Sequence, residues 1–363
     1  MRPSVCSSGS KRCSLAPQTD EASSSFSSAE RVSRLVFVTQ QADPEHPVLA
    51  ATLAQIAALA RRVDEVLVLT NGPSVPGALP PNCRMHSFGA GTKAGRTVRY
   101  LAALAPALAR RPVAVVAHMS PVYAVLAAPL ARPLGVPVLL WFTQARGGRL
   151  LRVAERLVTA ILTVDERSVP LDSPKVRAIG HGVDVDAFPC TERQSGARLR
   201  LLGLGRYAPV KGWDIALRAL AQLPEAGLAI HGAVLTAADR RNRAELERLA
   251  GELGIEGRVS FGDPVPHVEV HRLFTQADAL VNPTRGNAAD KVVYEAAAAC
   301  VPVLAASPVF DRLLPPELRF EGADELAARL RTLDPSLGRT LRDKVVAGHS
   351  VEHWAEAVLE AAA

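Results

Sequence analysis

Aromatic side chains are scarce in this chain: Phe, Trp and Tyr make up 4% of its 363 residues. Proteins that hold single-stranded nucleic acid usually stack bases on aromatic platforms and gather their cations into patches. Here 42 basic residues face 36 acidic ones, a net charge of +6, and the arginines are spread along helical segments instead of forming a run. The composition speaks against nucleic acid as a partner. An anionic membrane surface or a polyphosphate ligand accounts better for the positive excess. Long apolar runs are also missing. No uninterrupted stretch approaches the ~18 residues of a membrane-spanning helix, so none is expected. Cys6, Cys13, Cys83, Cys190 and Cys300 are scattered, odd in number and without C-x-x-C spacing. That pattern argues against a zinc site and a disulfide framework, and it fits a reducing cytoplasm.

What is present is a globular pattern. Apolar residues make up 48% of the chain, and the length exceeds a comfortable single core, which predicts two domains. Residues 1–32 are Ser-rich without an apolar h-region, so they do not read as a secretory signal. A disordered tail or a misassigned start is expected there. From RLVFVTQ onward, short apolar runs alternate with helical segments: EVLVLT, VAVVAHM ending at His118, PVLLWFTQ, then LLGLG, LAIHGAV, RVSFGDP, ADALVNP and VPVLAAS. This alternation signals parallel, doubly wound sheets. The polar, irregular segment 187–197 lies between two such series. Domains are therefore expected at 33–190 and 191–345, followed by an amphipathic terminal helix, 346–363.

Two segments carry the chemistry. In LLGLGRYAPVKGWDIALRAL (201–220) a strand runs into a Gly-flanked loop bearing Arg206 and Lys211, then into a helix. Cations beside a helix N-terminus, after the carboxyl end of a parallel strand, suit a phosphate. The pair Gly203 and Gly205 lacks the third glycine of a dinucleotide fingerprint. The second segment, ADALVNPTRGNAADKVVYEAAAACVPVLAAS (277–307), places Glu295 one helical turn after Lys291, on the same helix face. A carboxylate there is placed for ribose or sugar hydroxyls, so the two segments together suggest a nucleotide-sugar site.

These residues resemble a known family. GRYAPVKGWD is similar to the GR-x-KG loop, and NAADKVVYEAAAACVPVLAAS to the E-x7-E and EA-x-A-x-G-x-P-V segment, of the retaining glycosyltransferases of family 4. VVAHMSPVYAVLAAPLARPLGVPVLLWFTQ and VRAIGHGVDVDAF look like the middle of the same family's N-terminal domain, so the resemblance runs from about Ser33 onward. It implies an α/β GT-B fold, two Rossmann-like domains with doubly wound parallel sheets facing a cleft, and a terminal helix that crosses back to the N-terminal domain or packs on its own.

The implied activity is metal-independent transfer of a sugar, with retention, from a nucleotide diphosphate-sugar to a hydroxyl of a glycan or lipid-linked acceptor. Such an enzyme serves glycan or polysaccharide biosynthesis, needs no cofactor, and would be cytoplasmic and peripheral at the inner face of the plasma membrane. Arg206 and Lys211 would stabilise the diphosphate, Glu295 (beside Lys291) the ribose, and His118 the donor sugar. The chain departs from the family at the first acid of E-x7-E, where Asn287 stands. Either Asn287 or Asp290 takes over the sugar hydroxyls, or N-x-x-D is a capping box with Asn287 as N-cap.

Gln40, Asp43 and Tyr123 are acceptor-side candidates, with His46 and Ser120 nearby and His181 a further candidate between the domains. Gln144 stands where relatives tend to have histidine. Asp184 and Asp186 spell D-x-D, read as structural and not as a metal site. The helix KAGRTVRYLAALAPALARR, with Arg96, Arg99, Arg110 and Arg111, either faces an anionic leaflet or packs on the core with a basic solvated face. Two other functions remain open: a nucleotide-sugar epimerase, and a non-catalytic nucleotide-sugar-binding scaffold, which the loss of the acid at Asn287 would suit.

Overall fold

The structure is a computed structural model that describes residues 33–46, 49–191 and 198–363. Residues 1–32, with Cys6 and Cys13, lie outside the described residues, as does the greater part of the expected boundary segment 187–197. The remainder forms two wholly parallel sheets. The first has seven strands: β1 (Arg34–Thr39), β2 (Glu65–Thr70), β3 (Cys83–Ser87), β4 (Ala114–His118), β5 (Val138–Trp141), β6 (Ala160–Thr163) and β7 (Val176–Ala178), in the order β3-β2-β1-β4-β5-β6-β7. Four helices connect them: α1 (Thr52–Ala60), α2 (Lys93–Ala109), α3 (Pro121–Ala131) and α4 (Arg149–Leu157).

The second sheet has β8 (Leu199–Leu204), β9 (Ala226–His231), β10 (Val259–Gly262), β11 (Ala279–Asn282) and β12 (Val303–Ala305), in the order β10-β9-β8-β11-β12. With it go α5 (Trp213–Ala221), α6 (Ala237–Glu252), α7 (Val270–Gln276), α8 (Lys291–Ala298), α9 (Ala323–Arg331), α10 (Leu337–His349) and α11 (Val351–Glu360). In each sheet the strand order turns outward from the first strand, between β1 and β4 and again between β8 and β11. Such switch points open a crevice at the carboxyl ends of the strands.

The period of two in a strand explains why β1 is apolar from Leu35 to Val38 without alternation. Leu35 and Phe37 point into one core layer with Ile56 and Leu59 of α1, while Val36 and Val38 point into the opposite layer with Tyr100, Leu104 and Leu108 of α2. Both faces are covered, so no position is left for a polar alternate. Strand β3 is an exception that the sequence pattern missed. It is an edge strand whose residues, Cys83 to Ser87, are half-buried or exposed, so its CRMHS sequence shows no apolar alternation.

Helix α11 returns to the first sheet. Trp354 meets Trp141 of β5 edge-on at 5.6 Å between ring centroids. Arg61 and Arg62, at the end of α1, pair with Glu352 at 2.6 Å and Glu356 at 2.7 Å. One expectation fails in this region. Cys190 and Cys300 form a disulfide, their Cα atoms 5.1 Å apart across 110 positions of sequence. The scattered spacing could not show it, because only the fold brings the segment between the sheets beside the residues that follow α8.

Candidate active site

The site is assembled at the carboxyl ends of the second sheet. After β8 the chain makes a tight turn, and Gly212 takes a left-handed φ of 68°. A side chain at Gly212 would strike the carbonyl of Pro283, so the turn is closed against the loop that follows β11. Arg285 fastens the same two loops. Its backbone N–H donates to Val210 O at 2.9 Å, and its guanidinium donates to Pro209 O at 2.9 Å and pairs with Asp214 at 2.7 Å. Trp213 Nε1 donates to Arg206 O at 3.1 Å, fixing the residue that carries the first cation.

Both predicted cations point into one cleft, and both are held by carboxylates. Arg206 donates to Asp239 at 2.8 Å, a buried residue that also closes a capping box with Thr236 at the start of α6. The Arg206 Nε is buried without a protein partner among the described residues. Lys211 Nζ lies 2.7 Å from each oxygen of Asp290. Asp290 Oδ2 also accepts from Thr284 at 2.6 Å and Asn282 at 3.0 Å. Burial opposes the charge on Asp290, but Lys211, Thr284 and Asn282 outweigh it and keep its pKa below the ordinary carboxylate value.

These contacts correct the reading of the NAAD segment. Helix α8 starts at Lys291 with Asp290 as its N-cap residue, and the Asp290 side chain makes no capping bond. Asn287 stands in the preceding loop, so the capping box with Asn287 as N-cap does not form. The reason is competition: the Asp290 carboxylate is committed to Lys211 and the β11 loop.

Glu295 is buried in α8 and bonds to His267 Nε2 at 2.9 Å. An ionised carboxylate only accepts, so the histidine nitrogen must donate. Lys291 is half-buried, and desolvation lowers its pKa while the charges of Glu295 and Asp184 oppose the shift. Arg206, Lys211, Asp290, Lys291 and Glu295, with His231, Val265 and His267, line an open cleft of about 290 Å³ whose lining also includes Ala51 before α1. Sequence reasoning missed His267, His231 and Asp239. Only Asp239 had a visible signal, the T-x-x-D capping pattern from Thr236.

The candidates of the first sheet are not among the residues that line this cleft. His118, at the end of β4, stacks on Phe37 with 5.7 Å between centroids, and its Nδ1 lies 3.4 Å from Thr39 Oγ1. Burial, then the charge of Lys291, pushes its pKa down to about 3, so it is neutral near pH 7. His181 is pushed to about 3 by the same two causes in the same order. Thus Lys291 of the second sheet acts electrostatically on His118 of the first and on His181 of the segment between them.

Gln40 donates to Ser120 Oγ at 2.8 Å and accepts from Asn71 at 3.0 Å. Tyr123 is 5% exposed, its ring packed 4.9 Å from both Phe88 and Tyr100. Asp43 accepts from Glu45 N at 2.9 Å and His46 from Leu49 N at 3.0 Å, so both serve the local turn. Gln144 is exposed in the loop before α4. Among the described residues, Asp184 and Asp186 join no cluster of three metal-ligating side chains.

Two Rossmann-like sheets facing a cleft define the GT-B fold, and solved structures share it. Sucrose-phosphate synthase from Thermosynechococcus elongatus superposes with a TM-score of 0.74 at 18% identity, over 90% of this chain and 98% of that one. Anabaena HepE in complex with UDP-glucose gives 0.71 at 16% identity, over 90% and 98%. The more specific assignment concerns the second half of the chain. Residues 192–310, the segment that carries Arg206, Lys211 and Glu295, match the model of the glycosyl transferases group 1 family. The D-inositol 3-phosphate glycosyltransferase of Mycobacterium tuberculosis is 32% identical over 195 residues, 52% of this chain and 36% of that protein. The alignment thus spans about a third of the curated relative.

Proposed function

We propose that this protein is a retaining glycosyltransferase that takes a sugar from a nucleotide diphosphate donor and places it on a hydroxyl of a glycan or lipid-linked acceptor. The observation that carries the reading is the convergence of Arg206, Lys211 and Glu295 on one cleft. As the glycosidic bond to the donor breaks, negative charge grows on the departing diphosphate, and fixed cations aimed there stabilise it. Glu295 accepts from the ribose. Neutral His118 hydrogen-bonds the donor sugar from the opposite sheet, and Gln40 and Ser120 lie on the acceptor side. With both cations in place no metal is required, so turnover should survive EDTA; full loss restored by manganese would overturn that part. The deciding experiment is turnover of UDP-, GDP- and ADP-sugars with hydroxylated acceptors, product formation being the expected result.

A second reading, a nucleotide-sugar-binding protein without turnover, draws on the ion pairs Arg206–Asp239 and Lys211–Asp290 and on Asn287 in place of an acid. It predicts donor binding with no product. An epimerase would convert the donor without acceptor.

A membrane-surface role belongs to the same proposal. Among the described residues no helix is long and apolar enough to cross a membrane. Arg99, Arg110 and Arg111 on and after α2 are exposed, although Arg99 donates to Gly89 O. Helix α4 offers a denser basic face, with Arg149, Arg152 and Arg156 exposed around Leu150 and Val153. Each such cation contributes about 1 kcal/mol near an anionic leaflet at low salt. Co-sedimentation should rise with anionic lipid content and fall with salt; equal partitioning onto neutral vesicles would refute it.

A further inference from the structure

Glu295 is 7% exposed at its side chain, and a flexible three-torsion side chain would not by itself present its carboxylate in one orientation. His267 supplies what is missing. It belongs to the turn after β10, reached through Pro264, Val265 and Pro266, and its ring is edge-on against buried Phe188 with 5.9 Å between centroids. Phe188 is in turn packed on Phe274 of α7. The imidazole is therefore fixed by an aromatic stack on one side while its Nε2 donates to Glu295 Oε1 at 2.9 Å. At the same time its side chain remains 29% exposed and lines the cleft beside Val265, Val292 and Glu295.

We propose that His267 is a positioning residue of the ribose subsite: by locking the Glu295 carboxylate it makes the site select ribonucleotides over nucleotides that lack the 2′ and 3′ hydroxyls. The proposal rests on the nucleotide-sugar reading above and sharpens it. A ribose presents vicinal hydroxyls, and a carboxylate meets both only when its plane is correctly turned. A preorganised acceptor is held at no further ordering cost when the ligand arrives. A 2′,3′-dideoxyribose cannot use that acceptor, so the orientation of Glu295 is worth nothing to it. Selectivity, more than overall affinity, is the property that depends on His267.

The test is calorimetric binding of UDP, GDP and ADP and of their 2′,3′-dideoxy counterparts to the full chain, taking the base with the lowest Kd. Wild type should prefer the ribose form. Glu295→Ala should abolish the preference. His267→Phe, which keeps a ring against Phe188 but has no N–H, should weaken the ribose form about tenfold and leave the dideoxy form unchanged. His267→Gln, whose amide N–H reaches the Nε2 position but which lacks the ring against Phe188, should recover part of the ratio, and it also serves should the Phe variant fold poorly. A wild-type ratio in His267→Phe, or no gain in His267→Gln over His267→Phe, would overturn the role of His267 while leaving the donor site intact. Failure of wild type to bind any of the three nucleotides would overturn the donor-site reading and this inference with it.

Discussion

The two sheets follow the same plan, yet the loops after β1 and β4 of the first are built from different materials than the loops around the cleft of the second. The second sheet gathers charge: Arg206 with Asp239, Lys211 with Asp290, and Glu295 with His267. The first gathers neutral polarity after β1 and β4, with Gln40 on Ser120 and Asn71 and buried His118 beside Thr39, and keeps its own ion pair, Asp165 with Arg167, after β6. Charged groups held in opposite pairs can be re-partnered by a polyanion, whereas neutral donors and acceptors suit hydroxyls. On the proposed reading, one fold thus yields a wall for a diphosphate and a wall for a sugar. The sheet itself is indifferent to which residues occupy its loops, and this is why the function must be read from the site.

The largest test of that contrast removes a cation. Arg206→Ala should lower kcat/KM about 100- to 1000-fold, the usual cost of deleting one donor to a developing anion. An equal loss in Gln40→Ala would erase the distinction between the walls, as would wild-type turnover in folded Arg206→Ala.

Asp290→Asn comes next. Its carboxylate has three partners, so the change leaves Lys211 without its counter-charge and should cost about 3 kcal/mol in urea unfolding. An unchanged midpoint would mean that Asp290 is not the anchor of Lys211, and would return it to the sugar hydroxyls.

Acidification separates the walls by pH window. Burial depresses His118 to about 3, so the unfolded chain protonates first as pH falls through the ordinary ~6.5. The stability present above that value is lost progressively toward pH 3. Asp290 is also depressed, but from a carboxylate's ordinary value near 4, so its contribution is full above ~4 and lost below. His118→Asn should therefore flatten the unfolding free energy between pH 6.5 and 4 by about one proton, and Asp290→Asn only at lower pH. A slope in His118→Asn identical to wild type would show that the histidine is not buried in its neutral form.

The smallest effect is expected far from either wall. Glu352→Gln and Glu356→Gln break solvent-exposed pairs with Arg61 and Arg62, and each should change stability by less than about 1 kcal/mol. A much larger loss would make the return of α11 depend on charge, and not on Trp354 against Trp141.

Much of this was legible in the sequence because it is local. Buried parallel strands are short continuous apolar runs, and the strand–loop–helix around Arg206 and Lys211 is one stretch of chain with its own turn glycine. Edge strand β3 was not legible, since a strand exposed on one side needs no apolar signature. Asp290 was seen as a carboxylate, but its partner Lys211 stands 79 positions away, and no periodicity connects two loops of a sheet.

The sequence by itself determined the fold class and the kinds of side chain at the mouths of the strands, because hydrophobic period and turn chemistry act within a few residues. Tertiary structure alone decided which of those side chains meet. It paired Cys190 with Cys300, turned Asp290 toward Lys211 and away from a helix cap, set His267 against Glu295, and put Lys291 within electrostatic reach of His118. Those choices depend on distances between loops of different strands, and such distances are fixed only when both sheets and their helices have packed.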